Sequence, residues 1–343
     1  MTTLETVIKR SNNNFDLIRL IAALMVIFGH SFDLFNSNGY YDPVKAVVKE
    51  SSGTLAVYIF FFMSGIFITG SFINKKDHTS FIQMRVFRIW PALIACTLLA
   101  VFFIGVILTT LPLKQYIGNP DTWKFLFSNI LLYNVTSHRL PGLFIANHFG
   151  SAVNGSLWTL PFEVKCYCIV FISGLAGFLR SKTFIVSFFL VLVFTLVLQP
   201  NYLTVLGGKL VLFFTAGMLL YIYKHRFLVD YRISLLLIIS CFCVYGTWFF
   251  QPLFYLALPY TALVLGASSV FKKIKLPGDY SYGIYIYGFL IQQVLANLFP
   301  GLNSYYSLLL TLPIVIPLGI LSWHLIEYPA IEYGKKLQLF RQQ

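Results

Sequence analysis

The chain has 343 residues, of which 58% are hydrophobic and 11% charged, with a mean hydropathy of +0.77. That excludes a soluble protein with a polar shell, and the apolar runs are continuous rather than alternating, which excludes an outer-membrane barrel. The formal net charge of +13 invites a nucleic-acid reading, but the basic residues are spread over short segments instead of one aromatic-lined stripe, so no nucleic-acid partner is expected.

The first apolar run, FDLIRLIAALMVIFGHSFDLF at 15–35, is long enough to cross a bilayer yet contains Arg19 and His30. It has no small-residue cleavage site behind it and is expected to stay in the mature protein. Eleven helical steps carry the chain about 20° past three full turns and raise it roughly 16 Å. Arg19 and His30 therefore share one face, near opposite ends of the helix. Asp16 and Asp33 stand three residues from them, a spacing that permits contact. Ionisable groups at membrane depth are costly and mark functional sites by default. The alternatives are that Arg19 snorkels to the interface and that His30 caps the outer end.

Reading runs of roughly 17 to 25 apolar residues as helices gives ten spans, at 16–35, 54–74, 88–111, 156–178, 183–199, 203–223, 233–250, 253–270, 280–299 and 304–326. The shorter segment 123–133, inside the long loop 112–155, reads as interfacial or re-entrant. The expected fold is all-α: one polytopic membrane bundle over 1–343, with no repeat and no appended soluble domain. Seventeen Lys and Arg residues lie at one set of helix ends against five at the other, which places both termini in the cytoplasm. Cys96, Cys166, Cys168, Cys241 and Cys243 all fall in spans and read as small apolar fillers, not a disulfide framework.

Three further stretches carry chemistry. In NGSLWTLPFEVKCY, 154–167, the helix enters from the outer side near Ser156, so Glu163 lies roughly 10 Å down. That depth is similar to that of His30, and a carboxylate beside an imidazole orients a general base. Pro161 in the second turn leaves backbone carbonyls free, and Lys165 points about 200° away from Glu163. The alternative for Glu163 is a structural ion pair. In RVFRIWP, 85–91, Arg85 and Arg88 share a face at a cytoplasmic mouth, which suits phosphate, although any cytoplasmic loop can hold two arginines. DYSYGIYIYGFLIQQ, 279–293, has a polar, small and aromatic stripe that packing explains as easily as binding. No metal site is expected.

Taken in order, Arg19 with ten residues before His30, FFFMSGIFITG at 60–70, RVFRIWP, SLWTLPFE at 156–163, SYGIYIY at 281–287 and IEYP at 326–329 resemble the membrane-bound acyltransferase 3 family. Its members transfer acyl groups, commonly acetyl from acetyl-CoA, onto bacterial cell-surface sugars. The resemblance implies that His30 is the essential first-helix histidine, Arg19 its paired arginine, Glu163 the acid of the tryptophan-containing motif, and Arg85 with Arg88 the cytoplasmic arginine motif. The wording NGSLWTLPFE looks especially like that of stand-alone O-antigen O-acetyltransferases. Many members carry a histidine where this chain has Gly288, so no role passes to that position. The scheme that follows has acetyl-CoA, a co-substrate and not a resident cofactor, held by Arg85, Arg88 and Arg19. His30, oriented by Glu163, deprotonates a hydroxyl of a surface glycan or its lipid-linked precursor. Asn154, Trp158, His148 and Arg139 are expected to meet this acceptor, together with His138 and Asn147. Direct transfer and a relay through Ser64 are both compatible with these residues. The expected location is the bacterial inner membrane. The rival class is a multi-pass transporter or lipid-linked sugar flippase, in which the same charges form a relay.

Overall fold

In hydrocarbon every backbone N–H and C=O must find a partner, and an apolar chain meets that demand by winding into helices. The computed structural model describes residues 2–35, 39–74, 77–133, 138–150, 152–198 and 207–341 and is helical almost throughout. Among the described residues the strands form one short antiparallel ribbon, Thr2–Thr3 against Leu228–Val229. The helices used below are α1 (Phe15–Leu34), α2 (Ser52–Asn74), α3 (His78–Leu108), α4 (Pro120–Ile130), α5 (Leu160–Leu175), α6 (Lys182–Leu198), α7 (Gly208–Ile222), α8 (Tyr231–Cys243), α9 (Phe250–Ala267), α10 (Ser281–Leu298) and α11 (Ser304–Ser322).

Six described helices are long and apolar enough to cross a membrane: α1, α2, α3, the segment Gly155–Leu175 that contains α5, α9, and the segment Ser304–Gln338 that begins with α11. α7 and α8 are apolar but shorter, as is the Lys182–Thr195 part of α6. α10 is long enough but diluted by Tyr282, Tyr285, Tyr287, Gln292 and Gln293. The short segment expected near 123–133 is α4, which starts at Pro120, where proline loses no hydrogen bond. The Asn119 side chain caps it, accepting from Asp121 N at 2.9 Å.

The chain divides into two compact units, each assembled from separate stretches. One takes Met1–Ala22, Thr54–Lys76 and Val164–Pro277. Its packing rests on small residues. A Cβ on Gly65 would overlap the carbonyl oxygen of Phe214, and one on Gly217 would overlap that of Phe62, so α2 and α7 cross backbone to backbone. Tyr58 stacks on Phe213 beside this crossing, with ring centroids 4.4 Å apart. Asn14 ties the start of α1 to the end of α9, its backbone N donating to the Gly266 carbonyl at 2.8 Å. Gly217→Val should cost about 3 kcal/mol, since the atom in the way is backbone and cannot swing aside. The measurement is loss of a monodisperse peak in detergent size exclusion. Ala216→Val, at the neighbouring half-buried position of the same helix, should keep that peak.

The other unit takes Ala23–Gly53, Asp77–Glu163 and Gly278–Gln343. α10 is its centre, buried at every position from Ser281 to Leu290. α11 packs along it, with Gly283 and Gly319 in near backbone contact. α3 runs alongside in the same direction: the Tyr282 hydroxyl donates to the Ile89 carbonyl at 2.8 Å, and Cys96 Sγ reaches the Ile286 carbonyl at 3.4 Å. Midway α3 widens into a π-helical stretch, Leu99–Ile104, whose Val101 carbonyl accepts the Tyr116 hydroxyl at 2.9 Å. Gly105 admits that hydroxyl, because a Cβ there would collide with it. All five cysteines are free.

Candidate active site

His30 lies one turn from the end of α1, with a 22% exposed side chain. Its Nδ1 is 3.9 Å from Asp33 Oδ2, a Coulombic contact too long for a hydrogen bond. The ring meets Phe289 of α10 edge to face, with centroids 4.9 Å apart. Phe289 also covers Gly155, where a Cβ would fall 2.6 Å from the ring, and Phe149 packs on it from another side. One aromatic side chain thus gathers the first-helix histidine and the start of the NGSLWT segment.

The backbone around His30 is fixed from two directions. Gly29 allows α1 to approach the first turn of α2, where a Cβ would stand 2.7 Å from Gly53 N. Gln292 Nε2 donates to the Ile27 carbonyl at 2.9 Å, and its Oε1 is buried without a donor. Gln293 holds the neighbouring loop, donating to the carbonyls of Phe149 at 2.7 Å and Ala152 at 2.5 Å. Gly288 packs against Ile27, whose Cγ1 would be 2.9 Å from a Cβ. The space that an imidazole would need is filled by that isoleucine.

The carboxylate at the imidazole is Asp33 rather than Glu163. The charge of Glu163 bears instead on Tyr282 and Tyr285, on the face of α10 that carries Phe289 and nearer its start. Gly155–Thr159 is a 3₁₀ turn, which rises about 2.0 Å per residue rather than 1.5 Å, so Glu163 stands further from the start of its segment than an all-α count gives. Pro161 sits in the first turn of α5, where its missing N–H removes no helical bond, so it frees no carbonyls.

Asn154 also departs from expectation. It is 3% exposed, caps the 3₁₀ turn by accepting from Ser156 N, and donates from Nδ2 to the Ile286 carbonyl at 2.8 Å. Both ends of its amide are thus engaged by the scaffold. The Tyr285 hydroxyl steadies the same turn through the Ser156 carbonyl at 2.9 Å and the Thr159 hydroxyl at 2.6 Å. Trp158 is exposed and edge-on to Phe162, and His148 is exposed. Arg139, His138 and Asn147 line a cavity in the loop, whose lining does not include Asn154, Trp158 or His148. Arg19, half-buried, belongs to the other unit.

At the opposite end of α3, Arg88 is enclosed. Its Nη2 meets Asp279 Oδ2 at 2.5 Å and its Nη1 meets Glu327 Oε2 at 3.0 Å. Glu327 is fully buried and accepts the Ser322 hydroxyl at 2.9 Å through its other oxygen. The guanidinium lies over Tyr282 and Trp323, 5.5 Å from each ring centre. A phosphate would have to compete with two carboxylates for Arg88. Arg85, one turn earlier, lies 5.8 Å from the Phe81 ring. The rise of the chain from Asp279 to Phe289 puts the arginine cluster roughly 15 Å from the level of His30.

A family profile described as an acyltransferase domain, that of acyltransferase 3, matches residues 12–327. The chain belongs to this family. The acyltransferase is 32% identical over 335 residues to a protein of Shigella phage Sf6 named O-acetyl transferase, covering 92% of this chain and 95% of the relative. It is 27% identical over 372 residues to Nodulation protein 10 of Rhizobium leguminosarum bv. viciae, covering 95% of each. No solved structure matches it. Family and relative make it an enzyme of O-acetyl transfer.

Proposed function

We propose that this acyltransferase takes an acetyl group from acetyl-CoA and places it on a hydroxyl of a cell-surface polysaccharide, O-antigen or its lipid-linked precursor, at a bacterial inner membrane. The observation that carries this reading is the accessible imidazole of His30, set against Phe289 and Gly155 with Asp33 at its Nδ1 side. The donor phosphates bind at the Arg85 end of α3, and the thin pantetheine arm runs along α10 to bring the thioester carbonyl to His30. His30 removes the proton from the acceptor hydroxyl, the oxygen attacks the carbonyl, and the thiolate of CoA leaves and is reprotonated. Asp33 stabilises the imidazolium that forms. Glu163 acts on the donor side of the ring, where it bears on the tyrosine hydroxyls of α10. Ten crossings with both termini cytoplasmic are part of this reading, and they bring the donor from within and the acceptor from outside.

The test is transfer of label from acetyl-CoA to glycan by the purified protein. Acetylated glycan and one free CoA per transfer are expected, with Arg85→Ala raising the donor KM by about tenfold, the loss of one charged hydrogen bond. Intact acetyl-CoA in the presence of authentic acceptor glycan would end this reading.

A further inference from the structure

A cavity of about 840 Å³ opens in the loop between α3 and α5, lined by Asn119, Asp121, Lys124, His138, Arg139 and Gly142 among others. His30, Gly155 and Phe289 are not in that lining. Its position relative to the membrane follows from its anchors. The Thr109 hydroxyl donates to the Pro141 carbonyl at 2.9 Å, and Thr110 N to the Gly142 carbonyl at 3.0 Å. These are the residues that follow the last turn of α3, a membrane-length helix, so the cavity wall is fastened where that crossing ends. That is the level of lipid headgroups. Arg88 is roughly 20 residues back along α3, so the cavity and the arginine cluster are at opposite ends of one crossing, about 30 Å apart.

α4 divides into three faces. Thr122, Phe125, Leu126 and Asn129 are buried. Asp121 and Lys124, one turn apart, face the cavity. Trp123, Phe127 and Leu131 recur every four residues and stay exposed, the last two at 55% and 67%. Trp123 contacts Phe102 of α3, which is itself exposed, so this apolar stripe continues onto the membrane helix. Burial holds the His138 imidazole below its usual range, hence neutral at pH 7, and leaves the cationic character to Lys124 and Arg139, opposed by Asp121. A cationic pocket at headgroup level, beside an apolar stripe, suits an anion attached to a hydrocarbon chain. Its volume is that of a small-molecule site and exceeds what a phosphate alone fills, leaving room for sugar.

We propose that this cavity binds the phosphate of a lipid-phosphate-linked glycan, with the lipid chain along Trp123, Phe127 and Leu131 and the first sugar beside the phosphate. The acceptor is then modified while still on its lipid carrier. This rests on the acyl-transfer reading above for its purpose but not for its chemistry, and the two fail separately.

The test uses the full chain in phosphatidylcholine nanodiscs, with a single-chain isoprenyl phosphate as probe. Saturable binding is expected, weakened about tenfold by Lys124→Gln and by Arg139→Gln and tightened by Asp121→Asn. Both basic residues are exposed, so these variants should fold. Equal binding of the uncharged isoprenol, equal competition by inorganic phosphate or by phosphatidylglycerol, or indifference to both substitutions would each overturn the proposal. A second arm compares acetylation of a glycan on its lipid phosphate with the same glycan released by mild acid. Equal rates on both acceptors overturn the carrier site and leave acyl transfer standing. Binding of isoprenyl phosphate that depends on Lys124 and Arg139, without acetylation of either glycan, supports the cavity and removes the proposed function.

Discussion

His30→Ala is expected to lower kcat for acetyl transfer by about 10² to 10⁴-fold, the usual worth of a positioned general base. The donor KM should hardly move, because the arginine cluster lies roughly 15 Å away along α10. The fold should persist, since the ring makes one edge-on contact with Phe289 and is partly open to solvent. Initial rates with labelled acetyl-CoA, together with a thermal melt in detergent, separate these effects. Asp33→Asn should cost far less than His30→Ala: its carboxylate is 57% exposed and stands off at 3.9 Å, where solvent screens much of its charge. A full-rate His30→Ala enzyme would remove the imidazole from the mechanism.

The second large effect falls on stability. Arg88→Leu is expected to destabilise the protein by about 3 to 5 kcal/mol, the usual cost of breaking a buried ion pair by removing one partner. One guanidinium serves two carboxylates, and Glu327 is completely buried, so without Arg88 both negative charges lose this partner. The converse change should be mild. Glu327→Gln leaves Arg88 paired with Asp279, and the amide oxygen still accepts from Ser322 or Arg88. Glu327→Gln added to Arg88→Leu should recover part of the loss. Thermal midpoints of the three variants in one detergent decide the matter, and an Arg88→Leu midpoint equal to wild type would refute the account. Lost activity in Arg88 variants should accordingly be read against their folded fraction before it is credited to donor binding.

What can be read from the residues alone is local. The shared face of Arg19 and His30, and the contact of His30 with Asp33, follow from helical periodicity within one segment. The depth of Glu163 does not follow, because a 3₁₀ turn and an α-helical turn look alike in SLWT yet differ in rise. Asn154 reads as an acceptor ligand because an asparagine at a helix entrance can either bind or cap, and its neighbours in the chain are the same in both cases. The partners of Arg88 lie 191 and 239 positions away, beyond any local pattern. Gln292 and Gln293, adjacent amides in an apolar helix, are the one available signal for the bonds that hold Ile27 and the 149–152 loop. The DYSYGIYIYGFLIQQ stretch, which packing explains as easily as binding when read as a string, is the spine of its own unit, against which RVFRIWP, the NGSLWT segment and His30 pack.

The π-helical stretch of α3 gives this crossing one residue of slack. An i→i+5 turn takes in one residue more than an α-turn while carrying the chain through nearly the same angle, so deleting a single residue between 99 and 104 would relax it to an ordinary helix and leave Gly105 and the mooring threonines close to their present places. What would go is the bond from the Tyr116 hydroxyl to the Val101 carbonyl, since the relaxed helix would claim that carbonyl. A deletion elsewhere in the helix has no such reserve: everything beyond would swing by about 100° and retreat by about 1.5 Å, and the loop would come away. The bulge is thus where this helix should best tolerate a lost codon.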